Sequence, residues 1–134
     1  MRRVVASASL ALALSFAAAG QAGAEAAPRL SGPVSVVPGV VVSFHAHGFR
    51  PGSQLEVVVA PADRPSCCAA RIPSSFSVSA LGTASLTFRM PRFYRRCLSA
   101  AGGCRKVRWR PHERLAVTAF GYLQEATIRS SIAL

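Results

Sequence analysis

Residues 38–59 read PGVVVSFHAHGFRPGSQLEVVV, and this stretch decides the fold. Val40–His47 alternates apolar and polar side chains, and a period of two places successive side chains on opposite faces of a strand. Val40, Val42, Phe44 and Ala46 are therefore expected inward, with Ser43, His45 and His47 outward. Pro38-Gly39 and Gly48-Phe49-Arg50-Pro51-Gly52 are turn signals on either side. Leu55–Ala60 is apolar on both parities, which marks a strand central in its sheet.

Short runs of the same kind recur outward from this stretch: Val34–Val37, Phe76–Ser79, Ala84–Met90, Leu115–Gly121 and Ala126–Leu134. Ala84–Met90 alternates cleanly, with Leu86 and Phe88 inside. Almost no stretch beyond the N-terminus carries a helical period. Residues 61–73 and about 91–114 hold Pro, Gly, Cys and Arg without alternation and are expected to be loops, the second with a short extended piece at Lys106–Arg110. About seven short antiparallel strands in a chain of 134 residues make an all-β, immunoglobulin-like sandwich with two long disulfide-linked loops at one end.

Pro38–Val59 resembles the repeated signature of bacterial secreted Ig-like domains of the IPT/TIG sort. In those a PG turn leads into V-x-V-x-G-x-G-F, then x-P-G and another V-x-V strand. This chain departs from it with Phe44 for the usual valine, Ala46 for a glycine, and histidines at two outward positions. The chain is also similar, more weakly, to the neocarzinostatin group of secreted chromophore carriers, which are Ig-like with G-x-G-L near this place and two local hairpin disulfides. The first resemblance implies a secreted scaffold and the second a small-molecule carrier. Neither implies catalysis, because this fold hosts many unrelated functions.

The N-terminus reads as a signal peptide over residues 1–24. Arg2 and Arg3 precede an apolar segment, and Ala22-Gly23-Ala24 is a small-x-small cleavage site, with Ala24-Glu25-Ala26 as the alternative cut. A short linker, 25–32, then leads to the domain at 33–134. The expected location is secreted or bound to the cell envelope, and no later apolar run is long enough to span a bilayer. Cys67, Cys68, Cys97 and Cys104 form an even set whose spacing does not suit a metal site, so two disulfides are expected. Counting strand directions brings loops 61–73 and 91–113 to the same end. Bonding adjacent cysteines would require Cα atoms only about 3.8 Å apart. The expectation is therefore two inter-loop bridges from Cys67 and Cys68 to Cys97 and Cys104, in an order the sequence leaves open.

No nucleophile elbow, zinc-protease motif, phosphate loop or paired carboxylates occur, so no enzymatic activity and no cofactor are expected. His45 and His47 leave one strand face about 7 Å apart; they are weak metal candidates that lack a third ligand, and two exposed polar residues is the plainer reading. Trp109, the only tryptophan, is read as a ring covering the core, with an aromatic platform framed by cations as its rival. Basic residues outnumber acidic ones 16 to 5, for a net charge of +11. Arg92, Arg95, Arg96, Arg105, Lys106, Arg108 and Arg110 are the candidates for gripping a polyanion, although loops are also where an arginine-rich chain places its charge. The sequence thus supports an exported, non-enzymatic binding or structural protein of the bacterial envelope or extracellular space. Its partner would be an anionic envelope polymer or another envelope protein. The alternatives are a chromophore-type carrier and a cationic binder of nucleic acid or membrane phosphates, and export argues against nucleic acid.

Overall fold

The computed structural model describes residues 27–98 and 102–133. The expected signal peptide and its cleavage site lie outside the described residues. Eleven strands follow one another: β1 (Arg29–Ser31), β2 (Ser35–Val36), β3 (Val41–His47), β4 (Gln54–Pro61), β5 (Cys68–Arg71), β6 (Phe76–Ser77), β7 (Ala84–Arg89), β8 (Phe93–Cys97), β9 (Cys104–Arg108), β10 (Arg114–Gly121) and β11 (Gln124–Ile132). A small sheet has the order β1-β3-β7, and a larger one runs β2-β11-β10-β4-β5-β8-β9, with β6 beside β4.

Alternation does what the sequence promised where a strand buries one face. β7 is buried at Ala84, Leu86 and Phe88 and exposed at Ser85, Thr87 and Arg89. β3 buries Phe44 and Ala46 while His45 stays exposed. The Phe44 and Phe88 rings stack with centroids 5.9 Å apart. Against them pack Leu55, Val57 and Val59 of β4 and Leu115, Val117 and Ala119 of β10, all fully buried. Removing these side chains from water is the main stabilising term, about 1.5–3 kcal/mol for each large aliphatic. β4 lies between β10 and β5, as its apolar character on both parities required.

The departures have physical causes. Val40 is 51% exposed rather than inward, because it closes the Pro38-Gly39 turn with its N–H bonded to the Val37 carbonyl at 3.1 Å. Gly39 takes the positive φ (82°) that this turn demands. Arg29–Ser31, inside the stretch read as a linker, pairs with β3. The stretches read as loops contain β5, β8 and β9, and these with β1 raise the count from seven strands to eleven among the described residues. Those three strands escape a search for alternation because they bury few apolar side chains, chiefly Cys68, Ala70 and Tyr94.

The disulfides also correct the expectation. Loops 61–73 and 91–113 are neighbours, since β5 pairs with β8 and the Cys97 N–H reaches the Cys67 carbonyl at 3.0 Å. The bridges are nonetheless local: Cys67–Cys68, and Cys97–Cys104 with Cα atoms 4.2 Å apart. Strand parity gives the reason. The β8–β9 register sets Cys97 directly opposite Cys104 on the outer face of the sheet. Cys68 points inward and is 2% exposed, so it cannot meet either of them.

Candidate functional site

The outer face of the larger sheet, turned away from the small sheet, carries the candidate site. Antiparallel register aligns its side chains in rows across the strands. In one row Ala116 faces Ala60, and further across Ala69 faces Arg95, which in turn faces Lys106. In the next row Thr118 faces Val58, Val58 faces Arg71, and beyond β5 Phe93 faces Arg108. Ala60 is only 6% exposed although it lies on this outer face, so β4 is covered on both sides here. Between β5 and β8 a cleft of about 420 Å³ opens, with Ala69, Arg71, Phe93, Arg95 and Lys106 among its lining residues. Phe93 is 41% exposed, and the Arg108 guanidinium lies over its ring at 5.6 Å.

The basic residues singled out in the sequence do not gather on one surface. Arg95, Lys106 and Arg108 project from the outer face of the β8–β9 hairpin, whereas Arg96 and Arg105 oppose each other on the inner parity beside Cys68. Nε of Arg96 is buried without a hydrogen-bond partner. Arg92 lies over the Pro38-Gly39 turn, so close that a Cβ on Gly39 would sit 2.7 Å from its Nε. Arg110 starts a turn in which its backbone N–H is bonded to Glu113 Oε1 at 3.0 Å. Among the described residues the ion pairs are those of Arg64 with Asp63 (3.7 Å) and with Glu113 (3.9 Å). The hairpin cations therefore have no carboxylate partner there.

Electrostatics within the hairpin are unfavourable as built. Arg95 sits directly opposite Lys106, and Arg96 opposite Arg105. Like charges placed directly opposite each other destabilise a sheet. Arg71 and Phe93 complete the cleft wall. Phe93, Arg95 and Cys97 share this face with Cys104, Lys106 and Arg108, but FYRRC and CRKVR carry no apolar–polar alternation, so periodicity could not have revealed it.

The remaining candidates fall elsewhere. Trp109 is 5% exposed, packs against Tyr94 in a tilted arrangement with centroids 4.6 Å apart, and donates its indole N–H to the Pro91 carbonyl at 2.9 Å. It covers the core rather than forming a platform. His45 lies across from Ser31 and Ser85, and His47 across from Arg29. Among the described residues no group of three His, Cys, Asp or Glu side chains comes together to hold a metal. No helix among them is long and apolar enough to cross a membrane.

No family model matches the sequence, and no curated protein matches it either. The IPT/TIG resemblance therefore gains no support from that side. Among solved structures the fold is similar to macromomycin, with a TM-score of 0.58 at 16% identity over 81% of this chain and 99% of that one. Two further similarities are looser. A superoxide reductase (neelaredoxin) variant from Ignicoccus hospitalis has a TM-score of 0.44 at 12% identity, covering 88% of this chain and 87% of that one. The sulfur carrier protein SoxY of Chlorobium limicola f thiosulfatophilum has a TM-score of 0.37 at 16% identity, covering 81% of this chain and 75% of that one. At these identities the first similarity concerns the fold, an all-β sandwich, and the other two carry no argument.

Proposed function

We propose that this protein is an exported, non-enzymatic carrier that holds a small molecule in the cleft on the outer face of its larger sheet. The observation behind this reading is the cleft of about 420 Å³ between β5 and β8, walled by an exposed aromatic ring and by cations that have no carboxylate partner among the described residues. Pockets for small ligands fall in this size range and combine an apolar lining with a few placed polar groups. The similarity of the fold to macromomycin and the weaker sequence similarity to the neocarzinostatin group support the same reading. The Cys97–Cys104 bridge across the β8–β9 hairpin is of the local kind that resemblance implies, whereas Cys67–Cys68 joins adjacent residues and is not a hairpin bridge.

Native mass spectrometry of the protein purified from the medium of its own producing culture tests this. A small-molecule adduct that is released on denaturation is expected. Replacing Ala69 by Trp, which fills the cleft while leaving the inner face alone, should abolish the adduct. A bare chain, or one that retains only a polymer, would reject the carrier. A grip on an anionic envelope polymer is the second reading, favoured by the uncompensated charge of Arg95, Lys106 and Arg108. Retention on a polyanion column that falls steeply as salt rises would mark that behaviour.

A further inference from the structure

We infer that the cargo of the outer cleft is an anionic, planar aromatic molecule, with its ring against Phe93 and its acid group held by Arg71, Arg95 and Lys106. This rests on the carrier reading and adds the charge and shape of the ligand. Three observations carry it.

The first is the placement of like charge. Arg95 faces Lys106 across the hairpin and Arg71 borders the same cleft, so three cations converge on one opening. Among the described residues none of them forms an ion pair, because Asp63 and Glu113 are engaged by Arg64. On the outer face of β4 and β11 the acids are Glu56 and Glu125, both cross-strand neighbours of Phe120. Glu56 lies two residues along β4 from Val58 and four from Ala60, about 7 and 13 Å along the strand from the two cationic rows. An anion in the cleft would turn cation–cation repulsion into attraction.

The second is geometry. Arginine presents a planar fork of donors suited to carboxylate, sulfonate or phosphate, and two arginines with a lysine supply such donors from both sides of the opening. The third is Phe93, 41% exposed in the same wall, which offers a ring for stacking beside the charged groups. A polymer would instead need a continuous basic track. The cations are divided between two faces of the hairpin, with Arg92 folded over Gly39, so they frame a pocket better than they line a groove.

Fluorescence anisotropy titrations of the intact, oxidised protein with pyrenesulfonate, pyrenemethanol and pyrenemethylammonium separate charge from ring, and inorganic polyphosphate supplies the polymer arm. Pyrenesulfonate should bind at least about tenfold more tightly than the other two, the scale expected of a charge-assisted contact. The double variant R95S/K106S should lose about that factor and melt no lower than wild type, since it removes a repulsive pair. Phe93→Ala should weaken pyrenesulfonate binding without changing the response to polyphosphate. A charge-matched control, R29S/R50S, lies away from the cleft and should bind as wild type. Equal binding of all three pyrenes, unchanged in R95S/K106S, would overturn the anionic cargo while leaving the carrier standing. Tight binding of polyphosphate with no binding of any pyrene would overturn both.

Discussion

Trp109 is where the fold can be tested most sharply, because one side chain ties the hairpin to the core. It follows β9, is 5% exposed, packs at a tilt against the Tyr94 ring with centroids 4.6 Å apart and donates to the Pro91 carbonyl at 2.9 Å. Trp109→Phe keeps an aromatic ring but removes the donor and part of the volume. The lost hydrogen bond contributes about 0.5–1.5 kcal/mol, and the carbonyl left behind adds to the cost if water cannot reach it. Trp109→Ala removes the ring altogether and should cost about 3–5 kcal/mol, as large-to-small changes at buried aromatics do. That is a large share of the roughly 5–15 kcal/mol that holds a domain folded. Urea denaturation followed by far-ultraviolet circular dichroism measures both variants, and an unchanged slope shows that the midpoint shift reports stability. As the sole tryptophan, Trp109 also gives a direct spectroscopic check: its emission should be blue-shifted and protected from a soluble quencher until unfolding. If Trp109→Ala unfolds within about 1 kcal/mol of wild type, or the native indole is freely quenched, the hairpin is not anchored in this way.

Two further variants probe other joints of the fold. C97S/C104S opens a staple of sequence separation 7, worth roughly 2–3 kcal/mol by loop-closure entropy. Its melting temperature should fall by about 10–20 °C for a domain near 100 residues, and added salt should recover part of the loss by screening the facing cations; a melt matching wild type would show the staple to be idle. Gly121→Ala would bring a Cβ to 2.9 Å from Leu55 Cδ2 and 3.1 Å from the Gln54 carbonyl. It should destabilise by about 1–3 kcal/mol, so a variant as stable as wild type in thermal denaturation would contradict the packing of β10 on β4.

How far the sequence could be read depended on what each strand buries. β3, β4, β7, β10 and β11 contribute most of the core, and a half-buried strand writes its inner face into the sequence as alternation. β8 and β9 contribute Tyr94 and a half-buried Val107, too little apolar character to stand out among arginines. Counting strand directions correctly brought the two cysteine-bearing stretches together. Taking them as loops hid the parity that separates Cys68 from Cys97, and so misdirected the disulfides. The candidate site followed the same course. Its cations were visible in the sequence, but their division between two faces of one hairpin required β8 and β9 to be recognised as strands.

That division also bears on why the cations are there. β9 is an edge strand of the larger sheet, and charged side chains on an edge discourage pairing with other chains. Edge protection accounts for Arg105, Lys106 and Arg108 without any ligand. It does not account for Arg95 and Arg96, because β8 is paired on both sides, with β5 and with β9. Nor does it account for Arg71, on a strand between β4 and β8. Glutamates at 95 and 96 would have kept the edge charged and converted both repulsive cross-strand pairs into attractive ones. The chain instead carries arginine at each of these interior positions, with the Cys97–Cys104 bridge closing the next row of the hairpin. A hairpin that holds facing cations together with a covalent staple is the arrangement that the anionic cargo inferred above requires.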